Sequence, residues 1–366
     1  MIQLINEIKP RKRIAILSDR LLARGGGTER YLLELIAALL QRQYDVCVHT
    51  TRVSAPSSFL NQPGLQLVCH SLPFCPRKLR APFFLRALRR HFQPHGFDMI
   101  IGINTPYSPH ISVCCGTWLG SMLADRRQLF KPLNWVRVYF ERKKYRGCQW
   151  LMAHTPMQKQ ELVRLFDVSE DRIRVLPPPV MQSFAPKNEH SRASGRSKYR
   201  LTDRRWNFLF PSIGHRRKGL DVVIEALTRL ANPDCRVVVA GSPVQRRSSP
   251  YLYYLGYVNT MEELYHACDA TLLLSSYEPF GLVVAESLLC ATPVFVSDRV
   301  GAQSLLVEEG MGRVVPIGDA AQLTAALAAF IAKPPSFPYH RIEALRRDVS
   351  WDVHIDTLSS LPKPSF

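Results

Sequence analysis

The chain has 366 residues, enough for two domains of ordinary size, each with a core of its own. A hydrophobic content of 46% excludes a mainly disordered protein, and no apolar run reaches the roughly 18 residues a membrane span needs. The net charge of +18 calls for an anionic partner.

Residues 1–13 carry charge on both sides of a very short apolar stretch and lack a signal-peptide core, so no export is expected. The nine cysteines form no Cys-x2-Cys pair; Cys114 and Cys115 are adjacent and the rest are scattered. That pattern reads as reduced thiols in a cytosol, with neither a disulfide framework nor a zinc site.

The first strand is Arg-Ile-Ala-Ile-Leu-Ser at 13–18. A loop over 19–28 runs into Gly25-Gly26-Gly27-Thr28-Glu29-Arg30. A helix follows with apolar positions Leu32, Leu33, Leu35, Ile36, Leu39 and Leu40, and then a strand at 46–50. This β–α–β start predicts a parallel sheet of Rossmann type. The glycines do not make Gly-x-Gly-x-x-Gly, which weakens a nicotinamide reading. Read from the residues alone, they form either a simple turn or a place where a phosphate or sugar approaches the backbone.

Further strands are expected at 65–69, 99–103, 111–115 and 150–154, with helices at 133–145 and 156–166. Two basic bunches fall in this half. Arg77, Lys78, Arg80, Arg86, Arg89 and Arg90 alternate with Phe83, Phe84, Leu85 and Leu88. Arg126, Arg127, Lys131, Arg137, Arg142, Lys143, Lys144 and Arg146 alternate with Phe130, Leu133, Trp135 and Tyr139. Either bunch alone is equally well a solvated face. Together they favour an anionic surface or substrate, and cations mixed with large apolar groups suit an anionic membrane. No recognised nucleic-acid module appears, so no specific nucleic acid is expected.

Pro177, Pro178 and Pro179 forbid helix and central strand, and the interdomain link is placed there. The expected domains are 1–176 and 177–366, each Rossmann-like. The polar, basic stretch 185–205 reads as an exposed loop. A second α/β unit follows. Its strands fall at 208–212, 237–240, 254–258, 270–274, 293–297 and 312–315, with helices at 221–230 and 261–268.

Two places in this unit carry chemistry. Arg217 and Lys218 sit in a strand-to-helix loop, where cations face a ligand cleft and can neutralise a leaving diphosphate. Arg216 beside them reads as a surface neighbour. The second place is Glu278-Pro279-Phe280-Gly281-Leu282-Val283-Val284-Ala285-Glu286, after the apolar run 270–274. Strand, glycine turn and helix start present free backbone N–H groups to an anion, and two acids bracket them. Acids around an anion site suit hydroxyl groups, such as a sugar on one side and a ribose on the other. Alone, Glu278 reads as a loop acid and Glu286 as a solvated helix residue.

Glu-x7-Glu enclosing Pro-Phe-Gly resembles the donor motif of the family 4 glycosyltransferases, retaining enzymes of the GT-B fold. Gly26-Gly27 before Glu29-Arg30, Tyr139-Phe140-Glu141-Arg142, Arg174-Val175-Leu176-Pro177-Pro178, Arg217-Lys218-Gly219-Leu220-Asp221 and Ile224-Glu225-Ala226-Leu227 are similar to the lipopolysaccharide core heptose glucosyltransferase I subgroup. The resemblance spans nearly the whole chain. It implies an α/β protein of two Rossmann-like domains facing across a cleft, 1–176 acceptor-binding and 177–366 nucleotide-sugar-binding, with the last helix packing back on the first domain. It also implies transfer of a hexose, expected to be glucose, from a nucleotide diphosphate sugar, expected to be UDP-linked, with retention.

By that resemblance Glu278, Arg217 and Lys218 are catalytic. Glu286 holds the ribose, and Phe280, Gly281, Leu282, Gly26 and Gly27 face the donor. Tyr257 and Val258 flank the base, and Asp19 and His110 line the acceptor side. Cys115 stands where the subgroup has an aspartate. No metal and no cofactor beyond the nucleotide sugar are implied. The implied acceptor is an anionic lipid-linked saccharide such as the lipopolysaccharide core, met by a cytoplasmic enzyme peripheral on the inner face of the membrane. The alternatives are a family 4 transferase for another polysaccharide or glycolipid, or a catalytically silent GT-B protein that binds anionic membrane.

Overall fold

The computed structural model describes residues 11–22, 26–72, 75, 80–180, 183–202, 204–244 and 249–365. The readings made at residues 1–10, at Gly25 and at Arg77 and Lys78 lie outside them.

Two parallel sheets organise the chain. The first has seven strands in the order Leu65–Cys69, Asp45–Thr50, Arg13–Ser18, Met99–Ile103, Ile111–Cys114, Trp150–Ala153 and Ile173–Val175. The second has six, Leu252–Gly256, Cys235–Gly241, Trp206–Ser212, Ala270–Leu273, Val294–Ser297 and Gly312–Val315. In each sheet the chain begins in the middle, builds outward on one side and then crosses to the other. The crossover leaves a switch point beside Arg13–Ser18 in the first sheet and beside Trp206–Ser212 in the second. Ligands of open parallel sheets bind outside the strand carboxyl ends at such points. The apolar strands are buried on both faces, as covered parallel sheets require.

The helices cover the sheets with their apolar faces. Gly27–Gln41 buries Leu32, Leu35, Ile36 and Leu39 against the first sheet, and Leu220–Leu230 buries Val223, Ala226 and Leu227 against the second. The stretch 176–180, with its three prolines, has no helix or strand and carries the chain between the sheets. The helix Trp351–Ser360 returns to the first domain. Ile355 and Leu358 join its core, Tyr31 Oη lies 2.7 Å from His354 Nε2, and Arg42 pairs with Asp352 at 2.7 Å. This return ties the end of the chain to the first domain through apolar contacts, a hydrogen bond and an ion pair.

The reading of 185–205 as an exposed loop is corrected. Glu189–Lys198 is a helix, capped by Asn188, whose side chain accepts from the Ser191 N–H at 2.8 Å. Its polar composition hid it, because it docks through few apolar groups. Arg192 and Arg196 instead pair with the buried Asp269. Gly195 allows the approach: a Cβ there would lie 2.7 Å from the Glu263 carbonyl oxygen. Gly195→Val is therefore expected to force this helix away from Met261–Ala267 and destabilise the protein by about 1–3 kcal/mol, read by denaturant unfolding.

Candidate functional site

Every loop that shapes the site leaves the carboxyl end of a strand. Leu273 ends a buried strand, and Glu278 follows after a turn. The Glu278 N–H donates to Arg299 O at 3.0 Å, and its own carbonyl accepts from the Gly301 N–H at 2.9 Å. Gly281 then caps the helix Leu282–Leu289 at φ 96°, a left-handed conformation that a glycine adopts without strain. Pro279 lies in the turn before this cap and not in the helix's first turn. The Arg217 guanidinium comes in from the loop after Trp206–Ser212 and pairs with Glu278 at 2.8 Å, also donating to the Tyr277 carbonyl at 2.7 Å.

Lys218 ends the short helix His215–Lys218 and donates to the Pro211 carbonyl at 2.9 Å. Half-buried, it has a pKa below the ordinary lysine value because burial disfavours its charge, with Glu278 and Glu286 opposing that shift and Arg217 adding to it. The next residue, Gly219, has φ 83° and passes so close to Leu274 that a Cβ would sit 2.4 Å from its carbonyl oxygen. Strand, basic loop and acidic turn are thus locked in one arrangement.

Across from this wall lie Gly26, Gly27, Thr28 and Arg30. Together with Cys115, His154, Pro178 and Pro179 they close a cleft of about 430 Å³ against Arg217, Lys218, Glu278, Phe280, Gly281 and Leu282. The linker prolines, read from sequence only as a stiff connection, thus form part of the cleft wall. Burial pushes the Cys115 thiol up to about 11, so at neutral pH it is a thiol and a poor nucleophile. His154 is pushed down to about 4 by burial and is neutral, with Nδ1–H donating to the Leu176 carbonyl at 3.1 Å.

Glu286 is not solvated. It is 4% exposed, lies one helical turn below the cleft floor and is held at both oxygens. Tyr265 Oη–H donates to one at 2.8 Å and Arg30 to the other at 3.2 Å. Arg30 belongs to the first domain, 256 residues away in sequence, so this ion pair crosses between domains. A carboxylate offers about four lone-pair sites, and two remain.

A second tie crosses beside it. Tyr277 Oη–H donates to Glu161 at 2.8 Å, Thr117 Oγ1–H donates to the same oxygen at 2.6 Å, and Thr155 Oγ1–H donates to the Pro279 carbonyl at 3.2 Å. Gly116 lets Pro279 approach, since a Cβ there would lie 2.6 Å from its ring. The turn that carries Glu278 is therefore clamped to the first domain on both sides of that residue. Tyr265, Glu161 and Thr117 were not singled out from sequence, and Arg30 was read only as part of the glycine-rich first loop, because each acts through a partner far along the chain.

Among the sequence candidates, Glu278, Arg217, Lys218, Phe280, Gly281, Leu282, Gly26 and Gly27 gather at this cleft. Tyr257 and Val258 follow the strand Leu252–Gly256 but lie outside it, Tyr257 being 71% exposed. Asp19 lines a separate cavity in the first domain. His110 is a correction. It precedes the strand Ile111–Cys114, at the amino edge of the sheet away from the cleft, and is 1% exposed. Its Nδ1 accepts from the Ile100 N–H and its Nε2–H donates to the Pro362 carbonyl, so it is a structural group with no access to a ligand.

Comparison with known proteins shows the family. A glycosyltransferase family 4 model matches residues 25–183, and a model for glycosyl transferases group 1 matches residues 192–347. A protein of Burkholderia thailandensis named as a probable transglycosylase is 36% identical over 320 residues, covering 85% of this chain and 84% of that one. The chain is a family 4 glycosyltransferase.

Solved structures agree on the fold of this glycosyltransferase, which is GT-B. WaaG, described as a glycosyltransferase involved in lipopolysaccharide biosynthesis, superposes with a TM-score of 0.75 at 17% identity, covering 95% of this chain and 100% of that one. The Anabaena protein HepE, solved in complex with UDP and glucose, superposes with a TM-score of 0.71 at 17% identity, over 96% of this chain and 100% of that one. Among the described residues of the glycosyltransferase no cluster of three His, Cys, Asp or Glu could hold a metal ion, and no helix is long and apolar enough to cross a membrane.

Proposed function

We propose that the enzyme transfers a hexose, glucose in the first instance, from a UDP-sugar to an anionic lipid-linked saccharide with retention of configuration. The observation that carries this reading is the cleft itself. One wall holds Arg217, Lys218 and Glu278 at the start of a helix, and the other holds Gly26 and Gly27 with no side chains in the way.

In this reading the diphosphate lies against Arg217, Lys218 and the N–H groups from Gly281 onward, where cations and a helix dipole meet an anion. Glu278 contacts the sugar hydroxyls. Glu286, oriented by Tyr265 and Arg30, offers its remaining lone pairs to the ribose, and Tyr257 and Val258 flank the base.

As the bond from the anomeric carbon to the diphosphate oxygen breaks, the acceptor oxygen bonds to the same face of that carbon. The acceptor's proton passes to the departing phosphate oxygen. A thiol at Cys115 and a neutral His154 supply no anionic nucleophile, which suits a route where charge stabilisation does most of the work.

Support for peripheral membrane contact comes from the helix Pro132–Gly147 and the turn before it. Trp135, Val136 and Tyr139 are exposed among Arg137, Arg142 and Lys143, and Phe130 is 85% exposed. WaaG's description gives a second reason to favour a lipopolysaccharide-type acceptor.

The test is calorimetric titration with UDP and a panel of nucleotide sugars. UDP is expected to bind, and Glu286→Ala to weaken it by about tenfold or more, the worth of a charge-assisted hydrogen bond. A folded protein that binds no nucleotide overturns the reading.

A further inference from the structure

A second cavity, of about 690 Å³, lies in the first domain at the carboxyl ends of Arg13–Ser18 and Met99–Ile103. It takes no part in the donor cleft described above. Its lining carries five cations, Arg20, Arg52, Arg80, Arg137 and Lys144, against two acids, Asp19 and Glu141, a balance of +3.

The acids are largely occupied. Glu141 accepts from the Trp118 N–H at 2.9 Å and from Tyr145 Oη–H at 3.2 Å, and burial raises its pKa from the ordinary carboxylate value. Asp19 accepts from Thr51 Oγ1–H at 3.1 Å. Of the cations, Arg20 pairs with Glu29 at 3.4 Å, outside the cavity lining, and Arg137 stacks over the Trp118 ring at 4.5 Å. Among the described residues no acid pairs with Arg52 or Arg80.

Two further donors are unaccounted for. Arg80 Nε and Trp118 Nε1 are buried and make no hydrogen bond, and both residues line this cavity. A buried donor without a partner is rare and costly, and uncompensated guanidinium groups in one concavity repel each other. Both facts are resolved by one anionic ligand. With Glu29 set against Arg20 the balance is +2; a singly charged carboxylate leaves half of it standing, whereas a phosphate ester carries close to two charges and several acceptor oxygens. Position points the same way. Gly26 at the donor cleft donates its N–H to Glu29 at 2.9 Å, and Glu29 pairs with Arg20 of this cavity, so the two spaces share one loop.

We infer that this cavity is an acceptor subsite that recognises a phosphate ester, with Arg52 and Arg80 as its principal ligands and Trp118 Nε1 completing the set. The inference rests on the transferase reading above, since it assumes that the acceptor approaches from the first domain.

The test uses the full chain saturated with UDP, so that Arg217 and Lys218 are blocked, and titrates inorganic phosphate, glucose 6-phosphate, glucuronate and glucose by calorimetry. Phosphate and glucose 6-phosphate are expected to bind, glucuronate at least about tenfold more weakly, and glucose not measurably. The double variant Arg52→Gln, Arg80→Gln is expected to weaken glucose 6-phosphate by about tenfold or more while UDP affinity and circular dichroism stay unchanged. Anionic phosphatidylglycerol vesicles that displace glucose 6-phosphate, where phosphatidylcholine vesicles do not, assign the phosphate to a lipid headgroup; failure of both to compete assigns it to the saccharide. Absence of phosphate binding to the UDP-loaded protein, or binding that the double variant leaves intact, overturns the subsite. Absence of UDP binding to the native chain overturns the transferase reading instead.

Discussion

Replacing Lys218 with methionine is expected to lower kcat/KM by about 10²–10³-fold, some 2.7–4 kcal/mol of transition-state stabilisation, with the fold retained. The reason is position. The ammonium is held by the Pro211 carbonyl at 2.9 Å beside Arg217 and lines the cleft, where in the proposed reaction negative charge accumulates on a departing diphosphate. Methionine has a comparable unbranched stem, so packing changes little while the charge is lost.

The same residue gives a pH signature. Burial holds its pKa below that of an ordinary lysine, so the free enzyme loses this cation earlier as pH rises. The alkaline limb of kcat/KM, which reports the free enzyme, should therefore begin below the ordinary lysine range. Lys218→Arg keeps its charge at any accessible pH and should move that limb upward, even if its longer fork lowers the plateau. A limb unchanged by the arginine variant would assign it to another group.

The wall of the cleft that carries Arg217, Lys218 and Glu278 was legible because its residues lie close together in sequence and each obeys a local rule. Glu278 and Gly281 sit in one turn, and Arg217, Lys218 and Gly219 in another. Both follow buried strands whose ends were readable to within a residue or two. The parallel sheets were equally legible, because covered strands are runs of apolar β-formers bounded by turns. What sequence could not show is how side chains from distant segments meet. Glu286 was singled out by its spacing from Glu278, but nothing local showed that its two hydrogen-bond partners come from Tyr265 and from Arg30 of the other domain. The Tyr277–Glu161–Thr117 tie is invisible for the same reason.

Where the reading failed, a physical competitor won. His110 lay within a few residues of an expected catalytic position, but one short strand places it at the opposite edge of the sheet. Distance along the chain is a poor guide when a strand intervenes, because its two ends lie about 3.3 Å apart per residue. The helix Glu189–Lys198 was missed because polar residues dominate it; ion pairs to Asp269 and a glycine contact hold it where an apolar stripe would normally do so. The basic residues of the first half have two kinds of surroundings. Arg142 and Lys143 on Pro132–Gly147 stand on an exposed face with aromatic neighbours, whereas Arg137 and Lys144 of the same helix join Arg20, Arg52 and Arg80 in lining a cavity. Composition could announce an anionic partner but not where in the fold the charge gathers.

Glu278→Gln is expected to reduce kcat by about 10²–10³-fold while changing UDP affinity by no more than about threefold. The amide keeps the shape of the side chain and one acceptor oxygen, so the turn fixed by Arg299 O and the Gly301 N–H should persist. What disappears is the negative charge beside the sugar and the 2.8 Å ion pair with Arg217. An oxocarbenium-like transition state gains positive charge on the sugar ring, so a carboxylate at its hydroxyls stabilises it more than it stabilises the bound substrate. The nucleotide is held mainly elsewhere in the proposed site, by Glu286, Lys218 and the helix start, and should be released no faster. Single-turnover kinetics with UDP-glucose, beside calorimetry with UDP alone, separate the two possibilities. A fall in kcat at constant UDP affinity places Glu278 on the sugar. A fall in UDP affinity at nearly constant kcat would mean that its role is to aim Arg217 at the diphosphate, and Arg217→Gln should then reproduce the same defect without adding to it.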